Sequence, residues 1–238
     1  MTRFPDVMFH EEVQCRCIFI TLMICVFPLS SYASIGISKF DDDILQKVEE
    51  KFGNAAVTRL TDLTVLVKEK VRIDEGKKVK YVNDFFNQIP YYTDIVHWKM
   101  KDYWATPFEK MTTNGGDCED YSIAKYFALR ELGVDDKKLR IMYVKAINWS
   151  EPHMVLIYFP KPEDIPLVLD NINKQILPAT KRKDLVPVYS FNADGIWLAK
   201  SRGTGKRVGE SKRISLWTDL RNRMEDSLKL PARVEHDI

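Results

Sequence analysis

The chain has 238 residues, with 36 Lys plus Arg against 34 Asp plus Glu, and a formal net charge of +2. It is 45% hydrophobic and carries 12 Phe, 10 Tyr and 5 Trp, enough core material to exclude a predominantly disordered chain. Only 10 Gly and 11 Pro exclude collagen-like and low-complexity classes, and the near-balance of charge gives no basis for a nucleic-acid partner.

The first element in chain order is an apolar run of 13 residues, Cys17–Leu29. A spanning helix needs about 20 apolar residues, so this run is too short. Arg16 precedes it, and small residues follow at the −3 and −1 positions of a cut after Ala33. That layout predicts a secretory signal peptide over 1–33, with an uncleaved anchor as the alternative, and one mature domain over 34–238. Asp6, Glu11 and Glu12 make a poor positive leader. Removing 1–33 takes away three of the four cysteines and leaves Cys118 alone, with a net charge of +3. One cysteine cannot build a disulfide framework within the chain.

Asp41 or Asp42 caps a predicted helix ending at Phe52, in which Ile44, Leu45, Val48 and Phe52 recur at helical spacing; Gly53 stops it. Ala55–Val71 and Lys77–Ile89 read as the second and third helices. Residues 90–117 read as an irregular, aromatic-rich segment packed onto the body. A helix is predicted from Asp117 to Leu132, closed by Gly133. Strands follow at Arg140–Ile147, His153–Phe159 and Leu167–Asn171, then a hairpin of Val186–Phe191 and Gly195–Lys200. A last helix spans Ile214–Leu228. Helices first and sequential strands afterwards predict a single α+β domain with an antiparallel sheet.

Cys118 opens the predicted helix at 117–132, where unpaired N–H groups and a partial positive charge favour thiolate over thiol. Such a nucleophile needs an oriented base. Of the four histidines, His10 lies in the leader and His236 near the end of the chain, whereas His153 opens a strand. Asp170 ends the neighbouring strand, and strands lie about 4.8 Å apart, so its carboxylate could fix the imidazole tautomer. Cys at a helix start, His on one strand and Asp on the next is the papain/transglutaminase-like arrangement. The bland alternatives are a strand-end histidine and a turn-forming Asp170 before Asn171. Trp104 is either core or a wall of the site that lends its indole N–H.

The block Asn114–Val134, NGGDCEDYSIAKYFALRELGV, resembles the core of the bacterial transglutaminase-like cysteine proteinases of the LapG type. His153-Met-Val-Leu and Val168-Leu-Asp-Asn171 resemble its two other blocks, in the same order, and the resemblance covers roughly residues 40–200. It implies a periplasmic protease with a Cys118–His153–Asp170 triad. It further implies cleavage of a large repeat adhesin near its N-terminus, with release from the outer membrane and dispersal of biofilm. An inner-membrane cyclic-di-GMP receptor that sequesters the protease is the implied regulator.

Asp117, Glu119 and Asp120 crowd Cys118, and carboxylates beside a thiolate oppose its formation. Either they are solvated acids at a helix N-terminus, or they bind a hard cation such as calcium. The loop is not an EF-hand. The resemblance implies calcium dependence through Asp117 and Glu119, with Asp120 as a third candidate ligand. Gly203-Thr-Gly-Lys206 lacks the spacing of a phosphate loop. The basic stretch Lys200–Arg213 reads as a solvated hairpin or loop, or as a docking face for an acidic adhesin or a membrane-proximal partner. Two functional alternatives remain beside the protease: a transglutaminase or amidase with the same triad, and a non-catalytic binding module. A monomer is the expected state.

Overall fold

The computed structural model describes Gly36 and residues 39–148, 152–199 and 205–225. The expected leader, 1–33, and the end of the last predicted helix lie outside these residues. Among the described residues no helix is long and apolar enough to cross a membrane.

Helix α1 (Asp42–Phe52) starts where Asp41 accepts the Ile44 N–H at 2.9 Å, and it ends at Gly53, whose φ of 80° only glycine adopts freely. The chain passes directly into α2 (Asn54–Lys70). Helix α3 (Glu75–Phe86) begins earlier than the apolar spacing implies, because Asp74 caps the N–H groups of Gly76 and Lys77. The segment read as irregular contains two helices, α4 (Asp94–His97) and α5 (Pro107–Thr113). α5 carries a complete capping box: Thr106 Oγ1 accepts the Glu109 N–H, and the Glu109 carboxylate accepts the Thr106 N–H. With Pro107 at its first position, that signal was written in the sequence.

Helix α6 (Cys118–Glu131) is buried at Cys118 and at every position from Asp120 to Leu129. Such a helix has no solvent face and sits inside the molecule. It packs on α3 and α5 on one side and on the sheet on the other. Gly133, at φ 84°, ends the turn after it.

The sheet is antiparallel throughout and has the order β4-β3-β2-β1-β5-β6-β7. Its strands are β1 (Leu139–Ala146), β2 (Pro152–Tyr158), β3 (Leu167–Leu169), β4 (Leu177–Pro178), β5 (Leu185–Phe191), β6 (Ile196–Leu198) and β7 (Lys206–Gly209). Alternation divides β2. Met154, Leu156 and Tyr158 join the main core with α6, while Val155 and Ile157 join Met142, Val144 and Val168 in a second cluster. Of the basic stretch expected as a solvated hairpin or loop, Lys206–Gly209 is the edge strand β7, paired antiparallel with β6, and Arg207 donates to the Asp194 carbonyl at 2.9 Å. Helix α7 (Ser215–Glu225) returns across the molecule. From it, Trp217 stacks on Phe127 and Arg223 donates to the Trp104 carbonyl at 2.6 Å.

Candidate active site

The loop before α6 is shaped by its glycines. Asn114 is left-handed and Gly116 has φ 138°. A Cβ on Gly115 would sit 2.4 Å from His97 Cε1, and one on Gly116 would sit 2.2 Å from Asp120 Oδ2. The Asn-Gly-Gly sequence therefore lets the backbone thread between His97 and Asp120. His97 is itself held by Thr113 at 2.8 Å and stacked on Tyr92.

Cys118 is the first residue of α6 and is buried. Its thiol lies 3.0 Å from Glu119 Oε2 and also meets the backbone N–H of Met154, the residue after His153. Burial, the charges of Glu119 and Asp117, and the hydrogen bond to Glu119 push the thiol well above its usual range; the Met154 N–H and the charge of Lys110 oppose them.

His153 is the second residue of β2 and is 1% exposed. Its parity is that of Val155 and Ile157, so the strand does not aim it at the helix-facing core; it sits at the strand end, next to the start of α6. Its Nε2 is 2.9 Å from Asp170 Oδ1. Asp170 is the first residue past β3, so its groups are released from the ladder. Its Oδ1 also accepts the Ile172 N–H at 3.0 Å, and Oδ2 accepts Arg182 Nη2 at 2.8 Å. Its backbone carbonyl receives Asn87 Nδ2 at 2.9 Å and the buried Lys125 Nζ at 3.1 Å. Burial works to raise the Asp170 carboxyl, but the hydrogen bond and charge of His153, the Ile172 N–H and Arg182 hold it at about 2. Lys125 is lowered to about 7 by burial, with Asp170 opposing.

Asp117 is the N-cap of α6, yet its side chain makes no capping bond. It turns inward, and Asp117 Oδ1, Asp120 Oδ2 and Asp94 Oδ1 are all buried without a hydrogen-bond donor. Oxygens of Asp94, Asp117 and Asp120 lie within 4.8 Å of one another, as do those of Asp94, Asp102 and Glu119. Asp120 is fully buried, which overturns the picture of solvated helix-terminal acids. Burial first, then the charge of Glu119, raises Asp117 to about 11; burial likewise raises Asp94 to about 7. Lys110, also fully buried, packs over Tyr121 beside these acids. One ammonium cannot balance this cluster. Buried carboxylate oxygens lacking donors suit a hard, oxygen-seeking cation. Asp94 and Asp102 were missed by sequence reasoning, because they lie in the aromatic segment with no local spacing to the Cys118 loop.

Trp104 is core. It stacks on Phe191 at 5.5 Å, and its indole N–H is engaged by Asp102, so it does not serve as an oxyanion donor.

Residues 50–198 match the family described as bacterial transglutaminase-like cysteine proteinase. The chain belongs to that family. Among solved structures, Legionella pneumophila LapG is similar at 40% identity with a TM-score of 0.67, covering 76% of this chain and 96% of that one. The EGTA-treated form of LapG gives the same figures. The calcium-bound form gives 39% identity and a TM-score of 0.64, covering 75% and 98%. A search of curated proteins finds no match. This transglutaminase-like cysteine proteinase therefore has the fold and the class of activity that the sequence implies.

Proposed function

We propose that the protein is a calcium-dependent cysteine endopeptidase in which Cys118, His153 and Asp170 act as the triad. The observation that carries this reading is the buried His153–Asp170 pair, on a strand whose next residue, Met154, turns its backbone N–H to the cysteine that opens a buried helix. Asp170 occupies Nε2, which leaves Nδ1 as the nitrogen that takes and returns the proton. In acylation the Cys118 proton passes to His153, and sulfur bonds to the scissile carbonyl carbon. The C–N bond breaks as His153 protonates the leaving amine. In deacylation His153 takes a proton from water, the hydroxide attacks the thioester carbon, and the C–S bond breaks to regenerate the thiol. The Cys118 backbone N–H, at the helix start, is a donor for the oxyanion.

Asp117, Glu119 and Asp120, joined by Asp94 and Asp102, would hold calcium. When bound, the ion would supply positive charge that offsets the carboxylates crowding Cys118. The buried oxygens without donors support this reading, as does the calcium-bound form of a relative.

The resemblance of the Asn114–Val134 block supports the finer proposal. The protein is exported to the periplasm through its leader and cuts the N-terminal region of a large repeat adhesin. That releases the adhesin and disperses biofilm, and an inner-membrane cyclic-di-GMP receptor sequesters the protease. The test mixes purified protein with the N-terminal region of a repeat adhesin from the same genome. Parallel tubes hold excess calcium, a chelator, or the Cys118→Ala variant. Two fragments formed only with calcium and Cys118 are expected. Cleavage that ignores the chelator would remove calcium from the mechanism, and an amine-labelled product would favour a transglutaminase.

A further inference from the structure

We infer that Arg182 is a positioning residue of the active site, acting on Cys118 and His153 through Asp170. The inference rests on the triad reading above. Arg182 lies between β4 and β5 and is 5% exposed. Its Nη2 reaches Asp170 Oδ2 at 2.8 Å, on the side of the carboxylate opposite the His153 bond. Asp184 grips the same guanidinium through Nε at 3.0 Å and Nη2 at 2.7 Å. The order is therefore Asp184–Arg182–Asp170–His153.

Two physical consequences follow. A buried carboxylate needs a counter-charge, and Arg182 supplies one permanently, since guanidinium does not deprotonate. Rotation of the Asp170 carboxylate is also blocked. The Ile172 N–H and His153 occupy Oδ1, and Arg182 occupies Oδ2. The imidazole then keeps its Nε2 toward Asp170. Asp184 is the exposed end of the chain, with 41% side-chain exposure, and it aims the guanidinium. The remaining groups facing Asp170, Lys125 and Asn87, hydrogen-bond its backbone carbonyl, and Lys125 reaches the carboxylate through charge alone.

The test is a double-mutant cycle read by the rate at which iodoacetamide alkylates Cys118 in the calcium-loaded full-length protein. Arg182→Gln should slow alkylation by on the order of tenfold, a part of the effect that a positioned base supplies. In an Asp170→Asn background the same substitution should cost less than about twofold, because its route to the thiol is already cut. Arg182→Lys should recover part of the rate while its thermal midpoint matches that of Arg182→Gln. Equal losses in both backgrounds would overturn the inference and leave Arg182 a structural residue. Unchanged alkylation in Arg182→Gln, with a large loss in Asp170→Asn, would overturn it while sparing the triad. Full activity in Asp170→Asn would remove the triad reading and the inference together. If Arg182→Gln does not fold, the cycle with Arg182→Lys carries the same comparison.

Discussion

Calcium binding to this protein should release protons, and their number follows from the acidic cluster. At neutral pH the metal-free site is partly protonated. Asp117, at about 11, holds one proton; Asp94, at about 7, is half-protonated; Asp120 is raised well above its usual value by burial. A cation binds the ionised oxygens, so loading should displace more than one proton at pH 7. The affinity should then weaken by more than about tenfold for each unit of acidification near neutrality. Stability follows the same logic. Asp94 binds its proton more tightly folded, at about 7, than at its ordinary 3.8, so the folded chain holds more protons. Its contribution is fully present below about 4 and is lost as pH rises through 7. The metal-free protein should therefore melt at lower temperature at pH 8 than at pH 5, and calcium should help most at the higher pH. Titration calorimetry in buffers of different ionisation heat counts the protons directly. A binding heat that does not depend on the buffer would show that the carboxylates are already ionised and would refute the account.

Two further outcomes are expected. Gly116→Ala places a methyl group 2.2 Å from Asp120 Oδ2 at a φ of 138°. It should abolish both calcium binding by calorimetry and peptide cleavage, while the circular dichroism of the folded body survives. Thr106→Ala removes the capping-box oxygen that receives the Glu109 N–H at 3.1 Å. It should lower stability in urea unfolding by about 1 kcal/mol, with calcium affinity reduced because Ala105 next door donates to Asp120 at 2.7 Å.

The parts legible in the sequence were those with local causes. Asp41 and Gly53 bracket α1, and the β1, β2 and hairpin strands follow from apolar runs and the Asn192–Gly195 turn. The cysteine at a helix start, and the aspartate after the strand next to the histidine, were also local. Helix α5 escaped because it is short and buried at six of its seven positions, from Pro107 to Thr112, so it has no amphipathic stripe to detect. Its Thr106–Glu109 box was the readable signal. Asp94, Asp102, Lys110, Lys125 and Arg182 escaped for a different reason. A charged side chain reads as solvent-facing by default, and only tertiary convergence makes it a ligand, a counter-ion or a brace.

The clamp between Arg223 and the segment at 103–109 bears on how the protein comes into being. Arg223 meets the Trp104 carbonyl, the Tyr103 hydroxyl and the Glu109 carboxylate across more than 110 residues of chain. Asp102 adjoins that segment, and Ala105 within it donates to Asp120. Closing so long a loop is slow compared with local helix formation. The segment that carries Asp102 and Ala105 therefore gains its Arg223 brace only when the last helix docks. A chain emerging from its N-terminus would lack that brace beside the acidic cluster until its last helix has arrived.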